Sequence, residues 1–327
     1  MEGVVSVSKN DETQLQENAD VEVEEDWSDI ITLENYGYAS HETTKFDIGD
    51  NQSLDLLCIS ANKLSPLDIS ASLSEENDND ASCHIVWLGA RFFVDVICRP
   101  IPANCNPEVQ AKLKNIRTRA FQGGKRVLEL GAGTGLAGLA VMKLYCSTEC
   151  CSCGESYKDD SFVSEPSNIV ITDSDSDSLD LCRRNFYHNF EVSVYQRFSA
   201  SLLSWGDDSF WCTKEEQNNL ETYEAHSFDT VFGTDVIYQL EDLPMFMKTA
   251  AQALSQKGML ILSHVPRFST SEETEAKIIA EAKIVGLILD ETVRPDQVCS
   301  SINLDLLLEV GAVLMVFTRT PNKFTKM

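Results

Sequence analysis

Residues 125–140, Lys-Arg-Val-Leu-Glu-Leu-Gly-Ala-Gly-Thr-Gly-Leu-Ala-Gly-Leu-Ala, constrain the fold more than any other part of this chain. Val127, Leu128 and Leu130 read as a short buried strand, and Gly131-Ala132-Gly133-Thr134-Gly135 as a turn. Leu136, Leu139, Ala140 and Met142 then recur at helical spacing. A strand that feeds a helix through a glycine turn is the repeating unit of an open α/β sheet. Without a Cβ in the way, a ligand can lie directly against such a backbone. Any tight βα turn has the same need, so the turn alone does not choose between architecture and binding. Its spelling narrows the choice. A dinucleotide fingerprint requires glycine at the sixth position, where this chain has Leu136, and the glycines at 131, 133 and 135 follow an acidic Glu129.

The rest of the chain continues the alternation. An apolar strand at 168–172 ends in Asp173, and the next helix starts among the capping types Ser174, Asp175 and Ser176. Its stripe is Leu179, Cys182, Phe186 and Phe190. Third and fourth strands are expected at 192–198 and 228–232, a helix at 240–254, a strand at 259–263 and a helix at 272–285. Two apolar strands at 287–293 and 311–318, with no helix between them, fit a terminal antiparallel hairpin. Ahead of the glycine turn, 86–97 reads as an apolar helix and 108–120 as a basic one, separated by Pro100, Pro102 and Pro107. Strand-like patches at 29–33 and 54–59 predict a β-rich N-terminal extension, a hairpin capping the main domain. Two polar insertions, 146–167 and 207–226, are expected to be exposed.

The acid is concentrated at the front: residues 1–80 carry a net charge of −17 and the remainder −9. Residues 1–26 hold few large apolar side chains and cannot offset their ordering entropy, which predicts a disordered acidic tail. The expected division is therefore a tail at 1–26, an extension and linker at 27–82, and one catalytic-sized domain at 83–320. A net charge of −26 argues against a duplex-binding surface, so nucleic acid is not an expected partner. No stretch approaches a membrane-spanning length, and Met1-Glu2-Gly3-Val4-Val5 lacks the basic and apolar regions of a signal peptide. The expected compartment is the cytosol, with the nucleus left open, and the eleven cysteines are expected as thiols. Cys146, Cys150, Cys151 and Cys153 invite a zinc reading. The adjacent pair is hard to place on one tetrahedron, so a thiol-rich loop is expected and no metal.

Open α/β sheets bind ligands at the carboxyl ends of their strands. Asp173, Trp205 and Asp235 join the glycine turn there. A carboxylate at the end of the second strand can accept from two ribose hydroxyls, although Asp is equally at home as a helix N-cap. Trp205 offers a flat face for an adenine or a core side chain. Asp235 and Tyr238 stand one turn apart at a strand mouth, where they could meet one amine or serve as a cap and a half-buried phenol.

Together, Val86-Trp87-Leu88-Gly89-Ala90, Glu129-Leu130-Gly131-Ala132-Gly133-Thr134-Gly135, Thr172-Asp173, Ser204-Trp205-Gly206-Asp207 and Asp235-Val236-Ile237-Tyr238 carry a resemblance. The glycine turn resembles motif I of class I S-adenosylmethionine-dependent methyltransferases. The set, in this order, resembles methyltransferase family 16, the lysine methyltransferase-like group that acts on non-histone proteins. The similarity covers roughly residues 84–318. It implies an α/β, Rossmann-like sheet of seven strands and S-adenosyl-L-methionine as cofactor. Trp87, Gly131, Ala132, Gly133, Asp173, Trp205 and Thr234 would line the cofactor site, and Glu129 would support its methionine end. Asp235 and Tyr238 would lie beside the acceptor amine. The chain departs from the family at Gly89, where an acid is frequent, and at Thr234, where Ala is. The expected activity is transfer of a methyl group to a lysine of a protein substrate by a monomer. A small-molecule or histidine methyltransferase, and a non-catalytic binding protein on the same fold, are the alternatives.

Overall fold

The computed structural model describes residues 41–59, 81–103, 105–145, 168–212, 223–266, 270–298 and 304–320. The expected acidic tail, the strand patch at 29–33, most of the linker and the cysteine-rich insertion 146–167 lie outside the described residues. In chain order the elements are β1 (His41–Gly49), β2 (Gln52–Ile59), α1 (Leu88–Ile97), α2 (Pro107–Phe121), β3 (Arg126–Leu130), α3 (Leu136–Tyr145), β4 (Asn168–Asp173), α4 (Ser176–Asn189) and β5 (Phe198–Leu202). After these come β6 (Trp211–Cys212), β7 (Tyr223–Glu224), β8 (Phe228–Thr234), α5 (Leu243–Ala253), β9 (Leu254–His264), α6 (Ser271–Ile284), β10 (Leu287–Val293), α7 (Leu304–Glu309) and β11 (Val313–Arg319).

Seven strands form one sheet in the order β10-β11-β9-β8-β3-β4-β5. All run parallel except β11, which is antiparallel to both neighbours. The strand period of two sorts the side chains between two cores. Val127, Ile169, Ile171, Phe232, Ile261 and Val316 face the layer of α1, α2 and α3, where Phe92, Phe93 and Phe121 fill the interior. Leu128, Leu130, Val170, Val231, Leu260 and Phe317 face the other layer, with Phe246 of α5 and Ile278 of α6. The sheet reverses direction of growth between β3 and β8, so a crevice opens there at the carboxyl ends of the strands.

Within the expected N-terminal extension the described residues 41–59 form a hairpin, in which β2 pairs antiparallel with β1. Asp50 and Asn51 both take positive φ (51° and 59°), the turn form whose twist suits a two-residue hairpin. Two asparagines one turn apart on α4 fasten it. Asn185 accepts from the Leu57 N–H at 2.7 Å and donates to the Leu57 carbonyl at 3.1 Å, and Asn189 does the same at Asp55, both at 2.8 Å. Asn185 also donates to the Thr134 carbonyl at 2.9 Å, so the clasp reaches the glycine loop.

Three local expectations are corrected. The third strand begins at Phe198, and Val192–Arg197 is a 3-10 turn with no buried residue, its Val192 three-quarters exposed. A short helix, α7, does intervene between β10 and β11. Of its leucines, only Leu307 reaches the core. The described ends of the 207–226 insertion are not simply exposed. Phe210 and Tyr223 stack with centroids 5.1 Å apart, and the Tyr223 hydroxyl meets Ser199 and Ser201 at 2.7 and 3.2 Å, which covers the outer strand β5.

Candidate cofactor and acceptor site

The glycine turn is laced to the end of β4. Gly131 and Ala132 donate their N–H groups to the Thr172 carbonyl at 2.9 and 3.0 Å, and Gly133 donates to Asp173 Oδ2 at 2.9 Å. Gly131, Gly133 and Gly135 all take positive φ (72°, 53° and 82°). At two of them the neighbours also exclude a side chain. A Cβ on Gly131 would lie 2.7 Å from Val236 Cγ1, and one on Gly133 would lie 2.7 Å from the Cys83 carbonyl oxygen.

In front of the loop is a cavity of about 380 Å3. Of the expected cofactor residues, Trp87, Gly131, Ala132, Gly133, Asp173, Trp205 and Thr234 all line it, together with Asp235 and Tyr238. Asp173 is buried at its rim. Burial pushes its pKa up, while the N–H groups of Gly133 and Asp175 hold it back. The cap of α4 is Asp175, which accepts from the Ser178 N–H at 2.7 Å and its hydroxyl at 2.8 Å. Asp173 is thus not spent on capping. Trp205 stands edge-on to Phe246, with centroids 5.2 Å apart. Trp87 takes the extended N-cap position of α1.

Glu129 is not part of the cavity wall. It shares the sheet face of Val127, so its side chain lies fully buried beneath α3, where a Cβ on Gly138 would run into its carboxylate. Burial pushes its pKa well above 4.5, the Gly138 N–H pulling it back and the Asp173 charge adding to the rise.

Asp235 is held in a left-handed conformation, φ 58°, by bonds to two elements. Its N–H donates to the Ser263 carbonyl at 2.7 Å; Oδ1 accepts from the Val265 N–H at 3.1 Å and Oδ2 from the Gly89 N–H at 3.2 Å. The Ser263 hydroxyl closes the ring on the Gly89 carbonyl at 2.7 Å. A Cβ on Gly89 would fall 2.8 Å from Asp235 Cβ, so glycine is what admits the aspartate.

The sequence reading missed Cys83, Asp242 and Met245, which also line the cavity. Cys83 and Met245 carry no local signal for this, and Asp242, before Leu243-Pro244, reads as an ordinary helix start. Cys83, His84 and Asp175 bring possible ligand atoms within 4.8 Å of one another. Hydrogen bonding already accounts for that arrangement. Cys83 donates to Asp175 at 3.6 Å, and His84 Nδ1 meets His41 Nε2 at 3.1 Å, tying β1 and the turn before α1 to α4.

A seven-stranded sheet of this order, with a glycine loop after its first central strand and an acid closing the next, is the class I methyltransferase architecture. The chain belongs to methyltransferase family 16, whose profile, described as lysine methyltransferase, matches residues 68–281. Protein N-lysine methyltransferase METTL21A of Danio rerio is 27% identical over 149 residues, 46% of this chain and 53% of that protein. Its Xenopus tropicalis counterpart is 26% identical over 147 residues, 45% of this chain and 52% of that protein. The chain thus spans about half the length of the curated relatives it matches. Among solved structures, geranyl diphosphate C-methyltransferase from Streptomyces coelicolor is similar with a TM-score of 0.40 and 11% identity, over 68% of this chain and 90% of that one. Among the described residues no helix is long and apolar enough to cross a membrane.

The cofactor of this class is S-adenosylmethionine, and the cavity fits it. Its volume lies in the range of small-molecule sites, about 300–1,000 Å3. Gly131 and Gly133 line it with bare backbone at positions too crowded for a Cβ, and the buried Asp173 carboxylate and the indoles of Trp87 and Trp205 line it too.

Proposed function

We propose that this chain is an S-adenosylmethionine-dependent protein N-methyltransferase that modifies a lysine side chain of a non-histone protein, with residues 83–320 as its catalytic domain. One observation carries the reading: the glycine cradle, Asp173 and the Asp235–Tyr238 pair converge on a single cavity from the ends of β3, β4 and β8. When bound, S-adenosylmethionine supplies an electrophilic methyl group on a positively charged sulfur.

The residues have separable tasks. Each oxygen of Asp173 accepts one backbone N–H and keeps a lone pair for a ribose hydroxyl. Trp205 and Trp87 offer flat faces to an aromatic base, and Thr234 borders the reacting end. Glu129 acts from behind, supporting the loop through α3. On the acceptor side Asp235 brings negative charge and Tyr238 a phenol that orients the nitrogen. Alignment matters most, because an in-line displacement gains chiefly from holding donor and acceptor in place. The acceptor must also be neutral when it reacts. A free lysine, with a pKa near 10.4, is neutral in only about one molecule in a few thousand at pH 7. A cavity closed from water favours the neutral form.

Incubation with methyl-labelled S-adenosylmethionine and a protein extract tests the reading. A labelled, protease-sensitive band is expected. Label confined to small molecules would favour the metabolite alternative.

A further inference from the structure

Of the two carboxylates on the acceptor side of the cavity, Asp235 is almost fully buried and each of its oxygens already accepts one backbone N–H. Asp242 differs. It occupies the N-cap position of α5, where Asp is a preferred residue because its side chain can accept a backbone N–H. Here it makes no such bond, and among the described residues its carboxylate has no hydrogen-bond or ion-pair partner. Its backbone is engaged instead, the carbonyl accepting from Phe246 at 3.0 Å and the N–H donating to Gln239 at 3.3 Å. The carboxylate is therefore held at the cavity wall by main-chain bonds while its own acceptor capacity stays open. Tyr238 lies four residues earlier, in the irregular segment after β8, and Met245, half-exposed, in the first turn of α5; all three line the cavity.

We infer that Asp242 is the residue that receives the cationic amine of the acceptor and selects a lysine over a neutral acceptor such as imidazole. This rests on the methyltransferase reading above and deepens it by naming the charge of the substrate group. A carboxylate with open lone pairs can accept from an ammonium directly, and such charge-assisted bonds are the stronger kind. Partial burial and the neighbouring Glu241 both push the Asp242 pKa up, as expected of an anion lacking a counter-charge. Asp235, buried and anchored to two backbone N–H groups, gives the wall its fixed negative charge. Asp242 supplies the contact.

The test needs no knowledge of the substrate. S-adenosylhomocysteine and its analogue sinefungin, which carries a protonated amine where the methyl group would sit, are titrated calorimetrically into the full chain and into Asp242→Asn and Asp242→Glu. The expected result is that Asp242→Asn leaves S-adenosylhomocysteine affinity unchanged and weakens sinefungin about fivefold, the scale of a solvent-accessible ion pair. Asp242→Glu should recover part of that loss. Equal effects on the two ligands, or none on sinefungin, would overturn the inference while leaving the cofactor reading intact. Failure of the unaltered chain to bind either ligand would overturn both.

Discussion

The Asp235 carboxylate accepts the backbone N–H of Gly89 at 3.2 Å, joining the end of β8 to the first turn of α1 across most of the domain's sequence. The same turn follows Trp87, so this bond fixes Asp235 and Trp87, two residues of one cavity wall, relative to each other. Gly89 admits the contact because it has no Cβ.

Gly89→Ala should therefore destabilise, although alanine is the better helix former by about 1 kcal/mol. The added methyl would lie within 3 Å of Asp235 Cβ and Cγ, and overpacking of this kind costs about 1–3 kcal/mol. A lower melting temperature together with slower methyl transfer is expected. A raised melting temperature would contradict the packing.

Asp235→Asn keeps the shape but cannot accept with both terminal atoms, so the N–H of Gly89 or Val265 would face an amide NH2. A buried donor left unpaired costs about 1–3 kcal/mol. The expected outcome is a measurable loss of stability and a strong fall in transfer, with S-adenosylhomocysteine affinity little changed. Full stability in urea unfolding would show that the ring of bonds through Ser263 tolerates the change.

Gly133→Ala puts a side chain at φ 53° and a methyl 2.7 Å from the Cys83 carbonyl oxygen. Backbone oxygen yields less readily than a flexible side chain, so the loop must shift. S-adenosylhomocysteine should raise the melting temperature of the unaltered chain, as a ligand selective for the native state must. That shift should be small or absent in the variant.

Glu129 gives a pH signature. Its folded pKa is raised by burial, so the stability that depends on its neutral form is present below 4.5 and is lost as pH rises through the raised folded value. Glu129→Gln keeps the shape and has no charge to bury. The melting temperature of Glu129→Gln relative to the unaltered chain should climb as pH rises from 4.5. A constant difference across pH would mean that Glu129 is not buried as a carboxylate.

The glycine turn, Asp173 and the central strands were legible because they obey local rules: an apolar strand, a turn without Cβ atoms, then a helical stripe. The position of Glu129 was also written in the strand period, since it shares a face with Val127 and so lies under α3. Val192–Arg197 misled because its valines imitate a strand, although Val194 and Tyr195 only edge the core, Tyr195 against Phe186, and Val192 is exposed. The asparagine clasp on β2, the Asp235–Gly89 bond and the open carboxylate of Asp242 depend on which distant backbone group stands opposite, and no sequence window contains that.

The most direct test of lysine methylation is the chemical identity of the labelled residue. Protein labelled by this chain with methyl-labelled S-adenosylmethionine is hydrolysed completely, and its amino acids are separated and identified by mass. The prediction is label in Nε-methylated lysine, lost in parallel with activity in Asp235→Asn. Label in methylhistidine, or no labelled protein from a chain that binds S-adenosylhomocysteine, would contradict it.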